Sequence, residues 1–227
     1  SNTLNTLISI PASLAGDRII LRPRCTLAEW LPPSKFRATN SSGTADKLMF
    51  YSGAAFTTTW LYSNLGNPKW VSDATLVDRG SRVMDPCEAL LIQPRSTSAP
   101  DFVNLGVVRA HKFASPLKQG TRLLAGGWPL DQSATSRGIL YASGFTGASS
   151  ATRADRVQLW LGDTTPGASG YESHYLLKTT TLQQWVKSGD SSLTNENNLL
   201  LFKAFRGVYF NSYLGKPDYV APRPWTP

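Results

Sequence analysis

Two nine-residue stretches of this chain have the same skeleton. "ADKLMFYSG" runs from Ala45 to Gly53 and "ADRVQLWLG" from Ala154 to Gly162. Each opens with Ala-Asp and a basic residue, carries an aromatic at its seventh position and closes on Gly. The match extends upstream without a gap at an offset of 109, so Phe36 meets Phe145, Asp46 meets Asp155 and Tyr51 meets Trp160. Other segments match at offsets that grow along the chain. "AGDRII" (Ala15 to Ile20) lies over "QGTRLL" (Gln119 to Leu124) at 104, and Trp60 over Tyr175 and Trp70 over Trp185 at 115. "EALLI" (Glu88 to Ile92) lies over "RGVYF" (Arg206 to Phe210) at 118. Stepwise growth is what turn-length changes between matched strands produce, so the chain reads as one unit written twice.

Within each copy the period is two. In "RVQLWLG", Val157, Leu159 and Leu161 alternate with Gln158 and Trp160, and in "KLMFY" Leu48 and Phe50 share one face. "DRIIL", "TRLLAGG", "ALLIQ", "NLGVVRA" and "GVYFN" are short apolar runs bounded by turn residues. Helical patterning is confined to "TLAEWL" (Thr26 to Leu31) and "TLQQWVKS" (Thr181 to Ser188), a turn or two each. The expected fold is therefore all-β: two tandem, duplicated sandwich- or barrel-like modules with very short helices. The first module covers 1–95, with 1–14 as a strand that could be exchanged between copies. A polar linker follows at 96–102, then the second module at 103–215 and a Pro-rich extended tail at 216–227.

Charged residues make up only 17% of the chain, and hydrophobic residues 41%, enough for a core. An uncharged surface rich in Ser and Thr points to a secreted or cell-surface protein. The opening "SNTLNTLISIP" reads as the start of a mature chain whose signal peptide has been removed. Net charge is +8, but the 23 basic residues are scattered among 15 acidic ones, without the runs or motif that specific nucleic-acid binding requires. Diffuse positive charge suits an anionic cell-surface polymer instead. No apolar stretch is long enough for a membrane span. Cys25 and Cys87 would close a loop of roughly 60 residues, worth about 4 kcal/mol if bridged in an oxidising compartment; the alternative is two small buried hydrophobes.

The motif order resembles a β-rich module of bacterial secreted and surface proteins, many of them from Verrucomicrobia. The second half supplies "LGVV" (Leu105 to Val108), "LKQGTRLLAGGWP" (Leu117 to Pro129), "ADRVQLW", "GYESHYLL" (Gly170 to Leu177), "QQWV" and "AFRGVYF" (Ala204 to Phe210). The first half supplies "ADKLMFY", "PKWV" and "DPCEALLIQPR", with Cys87 where the pattern prefers Gly. The sorting helix and basic cluster that often end such proteins are missing. The resemblance implies an extracytoplasmic all-β protein and assigns no activity.

Enzyme chemistry finds little purchase. "SGDSSL" (Ser188 to Leu193) has the Gly-Asp-Ser of a serine nucleophile but not the following glycines, and neither His111 nor His174 has a protease-like setting. His and Cys are too few and too far apart for a zinc site, and no calcium or phosphate loop occurs. Asp46 and Asp155 each precede a strand, where a carboxylate accepts backbone amides. The matched aromatics Tyr51, Trp60, Trp70, Trp160, Tyr175 and Trp185 read first as core packing and second as sugar-stacking faces. No catalytic residue, cofactor or metal is expected. The leading functional expectation is a non-enzymatic extracellular structural protein, self-associating head to tail into a filament- or sheath-like homopolymer through strand edges. A carbohydrate-binding adhesion module is the alternative, and an unrecognised hydrolase the third.

Overall fold

The computed structural model describes residues 25–51, 53, 55–73, 75–85, 87–95, 113–114, 117–161, 170–204 and 206–222. The expected exchangeable strand, the linker, His111 and the last five residues of the expected tail lie outside the described residues.

The protein is all-β. One short helix, α1 (Leu27–Trp30), precedes β1 (Lys47–Tyr51), β2 (Phe56–Tyr62), β3 (Lys69–Ser72) and β4 (Leu91–Gln93). After β5 (Phe113–Ala114) come β6 (Gly120–Ala125), β7 (Arg156–Trp160), β8 (Tyr171–Lys178), β9 (Gln183–Lys187), β10 (Gly207–Ser212) and β11 (Val220–Ala221). The first sheet has the order β3-β2-β1-β4 and the second β6-β10-β7-β8-β9, all antiparallel; β5 and β11 pair separately.

The duplication holds at the level of register. Lys47 stands opposite Trp60 and Gln93, and Arg156 opposite Tyr175 and Asn211. Thr59 faces Ser72 as His174 faces Lys187. Each of these second-sheet residues is its first-sheet counterpart shifted by 109, 115 or 118, the same offsets that align the sequence. A slip of one residue in any strand would turn its side chains to the opposite face, so agreement in every ladder means both copies bury the same faces.

Helix α1 forms because Thr26 and Glu29 make a reciprocal capping box: the Thr26 hydroxyl accepts from the Glu29 amide, and the Glu29 carboxylate accepts from the Thr26 amide at 2.7 Å. Pro32 and Pro33 follow and bar its continuation. The second expected helix is a strand. Within Thr181 to Ser188, Gln183–Lys187 forms β9, paired with β8 over five rungs. A two-turn segment cannot sustain a helix alone, while the ladder buries Trp185 and Val186 completely.

Each sheet has one main core-facing side, covered by irregular chain, and the first sheet buries a smaller cluster of Ala45, Trp60 and Val71 on its other side. Leu48, Phe50, Leu61 and Trp70 pack against Leu27, Leu31 and Met84 in the first module. In the second, Val157, Leu176, Trp185, Val208 and Phe210 pack against Ile139, Phe145, Leu201, Phe202, Tyr219 and Ala221. The expected tail thus begins inside the second core: the Tyr219 hydroxyl donates to the Arg137 carbonyl at 2.6 Å, and Val220–Ala221 is β11. The modules are stitched together by Cys87–Ala89, which leaves the first copy and hydrogen-bonds along β6 (Ala125 amide to Cys87 carbonyl, 2.8 Å; Ala89 amide to Leu123 carbonyl, 3.3 Å).

Candidate functional site

The duplicated positions separate into structural and exposed groups. Trp70 and Trp185 are wholly buried, and their indole nitrogens donate to the carbonyls of Leu31 at 2.8 Å and Ile139 at 2.7 Å. Phe36 packs edge-on against Trp70 at 5.2 Å, and Phe145 against Tyr219 at 5.4 Å. Trp60 is buried with Ala45 and Val71, and Tyr175, its match, is half-buried. Trp60, Trp70, Phe145 and Trp185 are interior and offer no face to a ligand.

Asp46 and Asp155 are also structural. Asp46 accepts the amides of Arg37 (2.8 Å) and Arg95 (2.7 Å); Asp155 accepts those of Thr146 (2.8 Å) and Tyr213 (2.6 Å). Asp46 ties the segment before β1 to the segment after β4, and Asp155 the segment before β7 to the segment after β10. Burial pushes the Asp155 carboxyl above its ordinary range, against the pull of hydrogen bonds from Tyr213, Thr146 and Ser212. Both oxygens of each residue are committed to backbone, which leaves neither for glycosidase chemistry.

Tyr51 and Trp160, matched in sequence, turn outward and form a different feature. The end rung of the β1–β2 hairpin pairs Tyr51 with Phe56, and the equivalent rung of β7–β8 pairs Trp160 with Tyr171. Tyr209 of β10 lies between the two pairs. Ring centroids follow one another at 5.2 Å (Phe56–Tyr51), 5.2 Å (Tyr51–Tyr209), 5.2 Å (Tyr209–Tyr171) and 4.9 Å (Tyr171–Trp160), all edge-to-face. The result is one stripe of five rings running across both modules, closed into a triangle at one end by a further Phe56–Tyr209 contact at 6.4 Å, on the sheet faces turned away from the two main cores. Phe56, Tyr171 and Trp160 are 40%, 45% and 44% exposed. Burial, and after it a hydrogen bond with Tyr171, raises the Tyr209 phenol well above its ordinary value.

Neutral polar groups border the rings. Gln158 donates to the Ser173 hydroxyl at 3.3 Å, two rungs from Trp160 and Tyr171 on the same face, and Asn211 donates to the Thr121 hydroxyl at 2.7 Å. At the Phe56 end the stripe opens into a depression of about 400 Å³ lined by Thr57, Thr58, Ser72, Asp73, Thr75 and Arg79. Sequence reasoning found two of the five rings. Phe56 and Tyr171 were legible as matched positions at the same offset of 115 as Trp60 and Tyr175. Tyr209 carried no such signal, because its match in the first copy is Leu91.

His174, expected as an ordinary strand residue, does sit in β8, with a polar setting. It is fully buried, with Nδ1 2.5 Å from Glu196 and Nε2 2.8 Å from Glu172, whose other oxygen accepts from Lys187 at 2.6 Å. Lys187 chiefly, and His174, hold the Glu172 carboxyl below its usual range. The two carboxylates flank opposite sides of the imidazole and cannot converge on a common ion; among the described residues no group of three His, Cys, Asp or Glu is placed to hold a metal. In "SGDSSL", Asp190 accepts the amide and hydroxyl of Ser192 and the amide of Thr194, forming a turn rather than a nucleophile's setting. Those bonds lower its pKa to about 2. A lowered carboxyl stabilises the turn at any pH above its ordinary value near 3.9, and that contribution is lost as pH falls toward 2. An NMR titration of the Asp190 carboxyl is expected to show a midpoint near 2; a midpoint near 3.9 contradicts this turn.

The possible bridge is absent: Cys25 is an exposed free thiol and Cys87 a buried one. Cys87 instead packs in the second module's core, next to the Arg137 guanidinium. Among the described residues no helix is long and apolar enough to cross a membrane. Compared with known protein families, curated proteins and solved structures, the chain matches none.

Proposed function

We propose that this is a non-enzymatic extracellular binding protein whose aromatic stripe holds a glycan chain, with the duplicated modules serving as its rigid support. The continuous five-ring stripe carries this reading. A row of contiguous, partly exposed rings on a folded surface is costly to leave in water and marks an interaction site. The chemistry bordering it selects among ligands. Pyranose rings present apolar C–H faces that pack on aromatic rings, and hydroxyls that bond neutral amides and alcohols. Both kinds of group are present, in Phe56, Tyr171 and Trp160 on one hand and Gln158, Asn211 and the Thr-lined depression on the other. The stripe sits on strands, so its geometry is set by three ladders rather than by loops. A hydroxyl-rich composition with only 17% charged residues suits the extracellular setting that this reading requires.

The test is retention on insoluble neutral and acidic polysaccharides. Wild-type protein is expected to be retained, and Trp160→Ala and Tyr171→Ala each to weaken binding about 10- to 30-fold, as removal of an aromatic anchor does. Both side chains are partly exposed and outside the cores, so each variant is expected to lose under about 1.5 kcal/mol of stability. Retention of the variants equal to wild type would sink the reading.

A second reading, self-association into a homopolymer through strand edges, has a specific surface in its favour. In the two larger sheets, the outer edge of β4, with Leu91 and Ile92 exposed, has no backbone partner among the described residues. Cross-linking at that edge separates a second copy from an occupant supplied by the chain itself.

A further inference from the structure

We propose that the glycan on the aromatic stripe is acidic, and that Arg156 in the second copy and Lys47 in the first receive its acidic substituents. This rests on the glycan reading and adds to it the class of ligand and the two residues that select it.

The basic residue shared by the two nine-residue stretches has the same place in both modules. On β7, Arg156, Gln158 and Trp160 alternate with Val157 of the core, so all three share the outer face with the rings. On β1, Lys47, Met49 and Tyr51 alternate with Leu48 and Phe50 in the same way. Arg156 stands opposite Tyr175 and Asn211, four rungs from the Trp160–Tyr171 pair. Lys47 stands opposite Trp60 and Gln93, four rungs from the Tyr51–Phe56 pair. Four rungs are about 13 Å along a strand. In the second module the neutral row of Gln158 and Ser173 lies between the rings and Arg156. The rings are thus placed for the apolar faces of the sugars, and the basic rung for a substituent or branch that projects across that row.

Charge is segregated by face. The strands of the two larger sheets contain a single acidic residue, Glu172, and it lies on the core-facing side beside His174. On the outer face, Lys69 opposite Tyr62 joins Lys47 and Arg156, so the strands present positive charge alone there. Asp73, just beyond β3, borders the depression at the Phe56 end together with Arg79, where the two charges offset. Among the described residues neither Lys47 nor Arg156 has an ion pair or a side-chain hydrogen bond, and the Arg156 Nε is enclosed without an acceptor. A cation that no carboxylate of the fold engages is complementary to an anionic oxygen, and charge-assisted bonds to such an oxygen are the strong ones. A single-stranded nucleic acid also combines stacked rings with charge, but it needs a basic groove along its whole backbone. Three separate cations do not form one.

Isothermal titration with matched oligosaccharides tests this. The probes are oligogalacturonate and hyaluronan oligomers, each beside its carboxyl-reduced neutral form, and chondroitin sulfate oligomers beside their desulfated form. In the pair bound most tightly, the acidic member is expected to bind about 3- to 10-fold better than its partner. Comparison of the uronate and sulfate pairs shows which anion is preferred. Arg156→Gln and Lys47→Gln are each expected to shrink that advantage without changing affinity for the neutral member, which also reports that the variant is folded. Arg156→Lys is expected to keep it. An advantage unchanged in both Gln variants would overturn the assignment to these residues. Equal affinity for the two members of every pair, with both weakened by Trp160→Ala, would overturn the acidic class and leave the glycan reading standing. No binding by any probe would overturn both, and oligo-dT bound more tightly than every acidic glycan would put a nucleic acid in the glycan's place.

Discussion

Trp185→Ala is expected to destabilise the second module by about 3–5 kcal/mol, the usual cost of emptying a large buried aromatic site. The side chain is wholly enclosed, and its indole N–H is the donor to the Ile139 carbonyl, so the variant loses packing and strands an acceptor. Trp70→Ala is expected to do the same to the first module through the Leu31 carbonyl. For a module of about 100 residues each kcal/mol corresponds to roughly 4–8 °C in melting temperature, so calorimetry should show a loss well above 10 °C. A change of only a few degrees would contradict the assignment of these tryptophans to the cores. The same reasoning makes Trp60→Ala and Trp185→Ala unsuitable probes of sugar binding, because both residues are interior.

Asp155→Ala is the second large effect, with Asp46→Ala as its twin. Each carboxylate accepts two backbone amides from segments far apart in sequence, 9 and 58 residues away for Asp155 and 9 and 49 for Asp46. Truncation leaves both amides without an acceptor at partly buried positions, at about 1–3 kcal/mol for a fully buried group, so a total of about 2–4 kcal/mol is expected. Asn keeps one oxygen as acceptor and should recover about half. Chemical denaturation of the four variants measures this directly. Asn and Ala variants of equal stability would show that the bonds to Thr146 and Tyr213 contribute nothing.

How far the protein could be read from its residues follows from the range of the interactions. The duplication was legible because its signal is local: an Asp before a strand, alternation within it and an aromatic at its end. Offsets of 109, 115 and 118 taken from sequence reappear as ladder registers, since turn length and pairing are the same quantity in an antiparallel sheet. The Thr26–Glu29 capping box was equally local. Thr181 to Ser188 misled because a short stretch with one central Trp satisfies either period, and only the ladder with β8 decides between them. The stripe was half legible. Its hairpin rungs are matched positions, but Tyr209 joins them through the pairing of β10 with β7, and neighbours across a sheet leave no pattern along the chain. The clasp around His174 is similar: Glu172 shares its face at a spacing of two, whereas Lys187 and Glu196 reach it through a register and a loop. The passage of Cys87–Ala89 from one copy onto β6 of the other has no sequence signal at all.

The central claim is that one glycan chain lies along all five rings, from Trp160 to Phe56. Isothermal titration with an oligosaccharide series of increasing length, drawn from a polysaccharide that retains the wild-type protein, tests it most directly. Affinity is expected to rise with length until the stripe is covered, Trp160→Ala to weaken short and long oligomers alike, and Phe56→Ala to weaken only the long ones. Affinity independent of length, or unaffected by either substitution, would contradict the claim.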